Sequence, residues 1–281
     1  MKIGYSSRWK FLEKEMNLFE ELDFAHSLGF EVFGLNLDRP QNRSLTKQQL
    51  TKLKTIADQY KIQFVVRCPH HINTSINSTQ LYHEIEKYLK IAKALGSDRL
   101  MIHPGSILNR LELDFDTSKQ FKGKTRTELG IPETQIKAQF QQLIKNLQKI
   151  VLLSKKQEIT IGLENNGEYY QFGSNLKEYQ QILSLVPGLK ASISIGHANI
   201  SGNNLYEYIT TFKDKIINLD IHDNHGEKDE HLPIGDGNIN FKKIFEALNH
   251  TENLTLLVDT YTDEFVKRSL INLYQILKTI R

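Results

Sequence analysis

Residues 216–237 read Ile216-Ile217-Asn218-Leu219-Asp220-Ile221, then His222-Asp223-Asn224-His225-Gly226-Glu227-Lys228-Asp229-Glu230-His231-Leu232-Pro233-Ile234-Gly235-Asp236-Gly237. The first six residues have the length and apolar character of a buried strand, and the glycines and proline behind them mark a loop. That loop crowds three imidazoles among several carboxylates at a strand's end. Imidazole and carboxylate without a thiolate suit a borderline divalent ion such as zinc, manganese or iron. A solvated polar loop is the plain alternative, and the rest of the chain decides between the two.

The same unit, a strand with a polar tip followed by a helix, recurs from the N-terminus onward. Lys2 to Ser6 reads as a strand, and Met16 to Leu28 as a helix closed by Gly29. Phe30 to Leu37 is the second strand, and Thr46 to Tyr60 carries a stripe of Leu50, Leu53, Ile56 and Ala57 at helical spacing. Ile62 to Val66 ends in Arg67-Cys68-Pro69-His70-His71-Ile72-Asn73, and the helix Leu81 to Leu95 leads to the strand Arg99 to Ile102, ending in His103-Pro104-Gly105. Ser106 to Pro132 is polar and weakly periodic, long enough to be a lid or an excursion over the mouth. The helix Glu133 to Lys155 is followed by the strand Ile159 to Leu163 with the tip Glu164-Asn165-Asn166. The helix Leu176 to Val186 then precedes the strand Leu189 to Ile195 with the tip Gly196-His197-Ala198-Asn199. After the helix Leu205 to Phe212 come the quoted stretch, the helix Asn240 to Leu248, the strand Leu254 to Val258 with the tip Asp259-Thr260-Tyr261, and a last helix from Glu264. Eight such units without a Pro/Ser/Gly-rich linker predict a single closed (β/α)8 TIM barrel spanning 1–281, with the polar insert at about 106–132 over its mouth. A doubly wound open sheet competes less well, because Gly4 is isolated where a glycine-rich phosphate loop would stand.

The totals narrow the function. With 36 basic and 33 acidic residues the net charge is +3, too nearly balanced to point to nucleic acid by itself. No run of about 18 apolar residues is present, and Met1 leads directly into a strand pattern without a signal peptide, so no membrane partner and a cytoplasmic location are expected. A single cysteine, Cys68, excludes an internal disulfide and a multi-cysteine zinc site, and no cationic helix terminus marks it as reactive.

In a (β/α)8 barrel the C-terminal ends of all strands meet at one mouth. Arg67, His70, His103, Glu164, His197, His222, Asp229, His231 and Asp259 then become neighbours. Each has an ordinary reading: a turn histidine at His103, a surface carboxylate at Glu164, a helix-capping group at His197. Gathered at one mouth, buried polar groups need partners, and a cation satisfies several at once. Arg67 either binds an anionic group in bidentate fashion or stands in for a metal's charge by pairing with Glu164.

On His222-Asp223-Asn224, Asp229 to Gly237, Leu163-Glu164-Asn165, His103-Pro104-Gly105 and Gly196-His197-Ala198, the chain resembles the xylose-isomerase-like barrel superfamily. That group contains sugar phosphate isomerases and epimerases together with endonuclease IV. In the isomerase branch the resemblance implies one divalent ion at the positions of Glu164, Ser194, His222 and Asp259, with serine here where aspartate is the pattern and aspartate where glutamate is. In the endonuclease branch it implies three zinc ions, of which the trio His197, Asp229 and His231 is intact. The first ion meets Arg67 in place of a histidine, and a guanidinium cannot ligate.

The function so implied is a metal-dependent sugar or sugar phosphate isomerase or epimerase. Glu164 and Asp259 would exchange a proton at the carbon next to a carbonyl, with Arg67, His70 and His103 on the substrate and a zinc, manganese or iron ion polarising it. The alternatives are an abasic-site phosphodiesterase, with Lys119, Lys122, Lys124 and Arg126 in a basic groove, or a non-catalytic barrel with a degenerate metal site. A small carbohydrate is the expected partner, nucleic acid the weaker one, and a homo-oligomer is left open.

Overall fold

The protein is described by a computed structural model covering residues 1–8, 10–107, 126, 128, 130–248 and 253–280. Eight strands run in the order β1 (Lys2–Ser6), β2 (Val32–Asn36), β3 (Gln63–Arg67), β4 (Arg99–Ile102), β5 (Thr160–Glu164), β6 (Lys190–Ser194), β7 (Ile216–Ile221) and β8 (Thr255–Val258). Each pairs in parallel with the next, and β1 closes on β8 with Lys2 opposite Thr255 and Tyr5 opposite Val258, making a closed barrel. Around it lie α1 (Leu18–Ser27), α2 (Pro40–Arg43), α3 (Lys47–Tyr60), α4 (Thr79–Ala94), α5 (Glu133–Lys155) and α6 (Leu176–Leu185). They are followed by α7 (Ile195–Ile200), α8 (Leu205–Phe212), α9 (Phe241–Ala247) and α10 (Asp263–Ile280). Among the described residues no helix is long and apolar enough to cross a membrane.

Two-residue alternation along the strands builds two cores. Tyr5, Phe33, Leu35, Phe64, Val66, Leu100, Ile102, Ile161, Leu163, Ile193, Leu219, Ile221, Leu256 and Val258 join the helices in one large buried cluster. Val32, Val65, Met101 and Leu257 form a separate small cluster with Ile217, which fills the barrel interior. A Cβ on Gly4 would stand 2.5 Å from a Leu257 methyl, so the missing side chain is what lets Leu257 reach across. One step nearer the mouth the same inward register carries Ser6, Asn36, Arg67, Glu164, Ser194 and Asp220, all buried and all polar.

Boundaries depart from the sequence reading where a side chain caps the backbone. Asn17 accepts from the amides of Phe19 and Glu20 while Glu20 returns a bond to Asn17, so α1 starts at Leu18 rather than at Met16. Strand β6 stops at Ser194, whose hydroxyl caps α7 through the His197 amide, so Ile195 opens a helix instead of ending a strand. The short α2 was not expected; Pro40 fills its first turn. Most of the segment 106–132 lies outside the described residues, as do Lys119, Lys122 and Lys124. Its described end is tied down, with Arg126 Nη2 donating at 2.8 Å to Glu178 and Ser106 bridging to Gln171. The arginine counted towards a basic groove therefore already has a carboxylate partner.

Candidate active site

Arg67 leaves the end of β3 pointing inward, with only 5% of its surface exposed. Its Nη1 donates to Ser6 Oγ and Asp259 Oδ2, both at 2.8 Å. Its Nη2 donates to Asp220 Oδ2 at 2.9 Å and to Glu164 Oε1 and Oε2 at 3.1 and 3.2 Å. Burial pushes the Glu164 carboxyl up, but the Arg67 guanidinium overrides it and holds Glu164 well below the ordinary carboxylate range. Asp259 is likewise held low, its burial outweighed by Arg67 and His231. Asp220 goes the other way: burial and its two carboxylate neighbours raise it well above its usual value, against the opposing pull of Arg67.

Above this cluster, the imidazoles of His197 and His231 converge on Asp229 Oδ2 through Nε2, at 3.2 and 3.1 Å. On the far side of each ring, Nδ1 meets a backbone carbonyl: Asn165 O at 3.0 Å for His197 and Asp259 O at 2.8 Å for His231. Such a carbonyl fixes Nδ1 as the protonated nitrogen and aims the ligating atom at the carboxylate. Burial alone would lower both imidazoles, but Asp229 raises each to about 9, and its own carboxyl is held well below the ordinary range.

His222 completes the group. Its ring stacks on His231 with centroids 3.9 Å apart, and its Nδ1 is buried without a hydrogen bond, 3.5 Å from Asp229 Oδ1. His222, Asp229 and His231 each offer a ligand atom within 4.8 Å of the others. Oriented imidazoles, a shared carboxylate and an orphaned ring nitrogen fit a borderline divalent ion here. The four positions of the isomerase pattern do not fit one. Arg67 stands among Glu164, Asp220 and Asp259, and His222 Nε2 meets the Ser194 hydroxyl at 3.1 Å.

His70 and His103 lie on the opposite side, with ring centroids 4.3 Å apart. Asp38, which the sequence reading passed over, holds His70 Nδ1 at 2.5 Å. His103 is pushed down to about 3 by burial first, with the cations around it adding to the effect, so it is neutral at working pH. Rings thus follow one another round the mouth: His70, His103, His197, His222, His231 and finally Tyr261, whose centroid lies 4.6 Å from that of His231. Cys68 is buried, and burial raises its thiol, as expected of an inert side chain.

All the residues read from the strand ends lie at this one mouth. Asp220, Ser6, Asp38 and Tyr261 were missed. A signal for Asp220 existed, since alternation along Asn218-Leu219-Asp220-Ile221-His222 puts it on the same face as His222. For Asp38 one existed as well, since it directly follows the second strand, but its pairing with His70 joins the tips of two different strands and was not written in either.

Fold and mouth together define a (β/α)8 barrel with a histidine and carboxylate cluster at its strand ends. The chain belongs to the xylose isomerase-like TIM barrel family, whose sequence profile matches residues 22–273. Two uncharacterized proteins of Methanocaldococcus jannaschii are similar to it. One is 26% identical over 267 residues, 91% of this chain and 92% of the relative. The other is 27% identical over 217 residues, 73% of this chain and 66% of the relative. Among solved structures, a D-tagatose 3-epimerase-like protein superposes with a TM-score of 0.79 at 22% identity, covering 100% of this chain and 98% of its own. The IolI protein with a bound zinc atom superposes with a TM-score of 0.77 at 15% identity, covering 100% and 99%. D-psicose 3-epimerase from Clostridium cellulolyticum H10 does so with 0.75 at 14% identity, covering 100% of both chains.

Proposed function

We propose that this chain is a sugar or sugar phosphate isomerase or epimerase that moves a proton on a carbon next to a carbonyl. The observation that carries the reading is the line of rings, with an ion-competent trio towards one end and a carboxylate-oriented imidazole at the other. His222, Asp229 and His231, with His197 beside them, would hold a divalent ion (zinc, manganese or iron), which would supply Lewis acidity towards a carbonyl. The protein's own groups do the rest. Asp38 fixes the proton on Nδ1 of His70, which leaves the Nε2 lone pair to take the proton from carbon. Neutral His103 donates a hydrogen bond to substrate oxygen.

Glu164 and Asp259 are assigned a different part from the exchange of protons that the family pattern implies. A base works best with a pKa near the working pH, and carboxylates held low by a guanidinium are poor bases for a carbon acid. They hold Arg67 instead, and Arg67, with its donors turned to them, is not assigned to the substrate. The reading is tested by incubating the protein with a divalent metal and a panel of ketoses and ketose phosphates in D2O. Solvent deuterium is expected at the carbon next to the carbonyl of one of them, with exchange reduced about 100- to 10,000-fold in His70→Asn. Absence of deuterium throughout the panel would remove the proposal.

A further inference from the structure

We infer that the Arg67 guanidinium is a built-in cation occupying the carboxylate centre at the strand ends, so that Glu164, Asp220 and Asp259 hold no divalent ion between them. Any ion this chain takes up at its mouth then sits among the imidazoles around Asp229, where His222, Asp229 and His231 offer ligand atoms within 4.8 Å of one another. The inference concerns which cation the site holds and stands whether or not the chain is an isomerase.

Three separate features carry it. First, the space between the carboxylates is filled: Glu164, Asp220 and Asp259 come from three different strands, and the Arg67 fork reaches all of them at 2.8–3.2 Å. A guanidinium is charged at every accessible pH, so a second cation placed between Glu164 and Asp259 meets a repulsion that no change of pH relieves. Second, the cluster holds more acceptors than the carboxylates Glu164 and Asp259 alone, as a guanidinium requires. Asp220 and Ser6 belong to neither ligand set of the family pattern, yet they accept from Nη2 and Nη1 at 2.9 and 2.8 Å. A planar fork with several donors needs more acceptors than a single ion does, and these two residues supply them.

Third, the remaining ligand positions are committed elsewhere. The Ser194 hydroxyl contacts His222 Nε2 at 3.1 Å and caps the helix that carries His197, while His222 Nδ1 is turned to Asp229 at 3.5 Å. His222 thus meets the serine through one nitrogen and leaves the other open towards Asp229, away from the carboxylate centre. The division is one of charge: a fixed single positive charge for the carboxylates, and an exchangeable ion for the imidazoles.

The experiment locates cobalt by anomalous diffraction in crystals of the wild-type chain soaked in Co2+, and counts bound cobalt in solution. A peak at the trio with none within ligand distance of Glu164 or Asp259 is the expected result, together with a count of one that falls to zero in Asp229→Ala. A chain with no cobalt at all would equally uphold a metal-free carboxylate centre while removing the metal from the proposed isomerase, so the two ideas fail separately. A cobalt peak between Glu164 and Asp259, or a bound ion that survives Asp229→Ala and is lost in Glu164→Gln, overturns the inference. In Arg67→Ala the count is expected to rise by one, and the double variant Arg67→Ala/Asp229→Ala should show a cobalt-dependent rise in Tm that Asp229→Ala alone lacks. An Arg67→Ala chain that folds and gains no ion overturns it as well.

Discussion

Gly196 has no side chain because the His222 ring lies where one would go: an added Cβ would stand 2.0 Å from the ring carbon Cε1. Gly196→Ala is therefore expected to cost about 1–3 kcal/mol through overpacking, and to displace His222 from Asp229. Urea denaturation measures the first effect, and weaker cobalt binding the second. The trio also sets a pH dependence. In the ion-free chain His197 and His231 titrate at about 9 when folded and near 6.5 when unfolded, so their contribution is complete below about 6.5 and lost as pH rises to 9. Buried His103 and His222, lowered to about 3, act in the opposite window: the unfolded chain binds their protons below 6.5 while the folded chain refuses them, so stability falls again towards pH 3. Urea midpoints should therefore peak near neutrality, and Asp229→Ala should flatten the alkaline side while leaving the acid side. At this scale the sequence already named His103, His197, His222, Asp229 and His231. It could not say which imidazoles are neutral, because that depends on burial and on which carboxylate each one meets.

At the level of elements, the caps decide where the functional side chains point. Ser194 accepts from the His197 amide at 3.3 Å while its hydroxyl meets His222 Nε2, so one side chain sets both the start of α7 and the tilt of a second ring. Ser194→Ala should cost about 1 kcal/mol in stability and also weaken cobalt binding at the trio. Asn17→Ala, which removes an equally good cap far from the mouth, should cost a similar amount and leave cobalt binding unchanged. Comparing the two by denaturation and metal titration separates capping from siting. Asn17 with Glu20, and Thr46 with Gln49, carry the helix-start pattern openly in the chain. Ser194 does not, since Ile193-Ser194-Ile195 alternates as a strand does and the pattern runs on past the true end of β6.

Across the whole molecule, the barrel interior is divided between an apolar plug and a charged layer. Leu257→Ala, which opens the plug, is expected to lose about 2–5 kcal/mol, and adding Gly34→Ala should recover part of it because the nearest atoms to a Cβ there are the Leu257 methyls, at 3.0 and 3.4 Å. Thermal unfolding of the single and double variants checks this, and a double variant no more stable than Leu257→Ala would mean that the plug does not pack as described. Above the plug, one cation on β3 holds carboxyl groups from β5, β7 and the end of β8, none of which pairs with β3. Eight apolar runs with polar tips were enough to foretell the closed barrel, because each strand must bury both faces and each crossover helix must cover one.

The chain by itself determined the alternation of strands and helices, the barrel that follows from it, and the list of imidazoles and carboxylates brought to one mouth. These are local or period-2 properties, written in consecutive residues. Tertiary structure alone decided how those groups are paired: Arg67 with Glu164, Asp220 and Asp259, His70 with Asp38, and Asp229 with two imidazoles. The partners lie on different strands and loops, and whether a buried charge meets a cation, a carboxylate or a carbonyl is settled by distances of about 3 Å that no sequence spacing encodes.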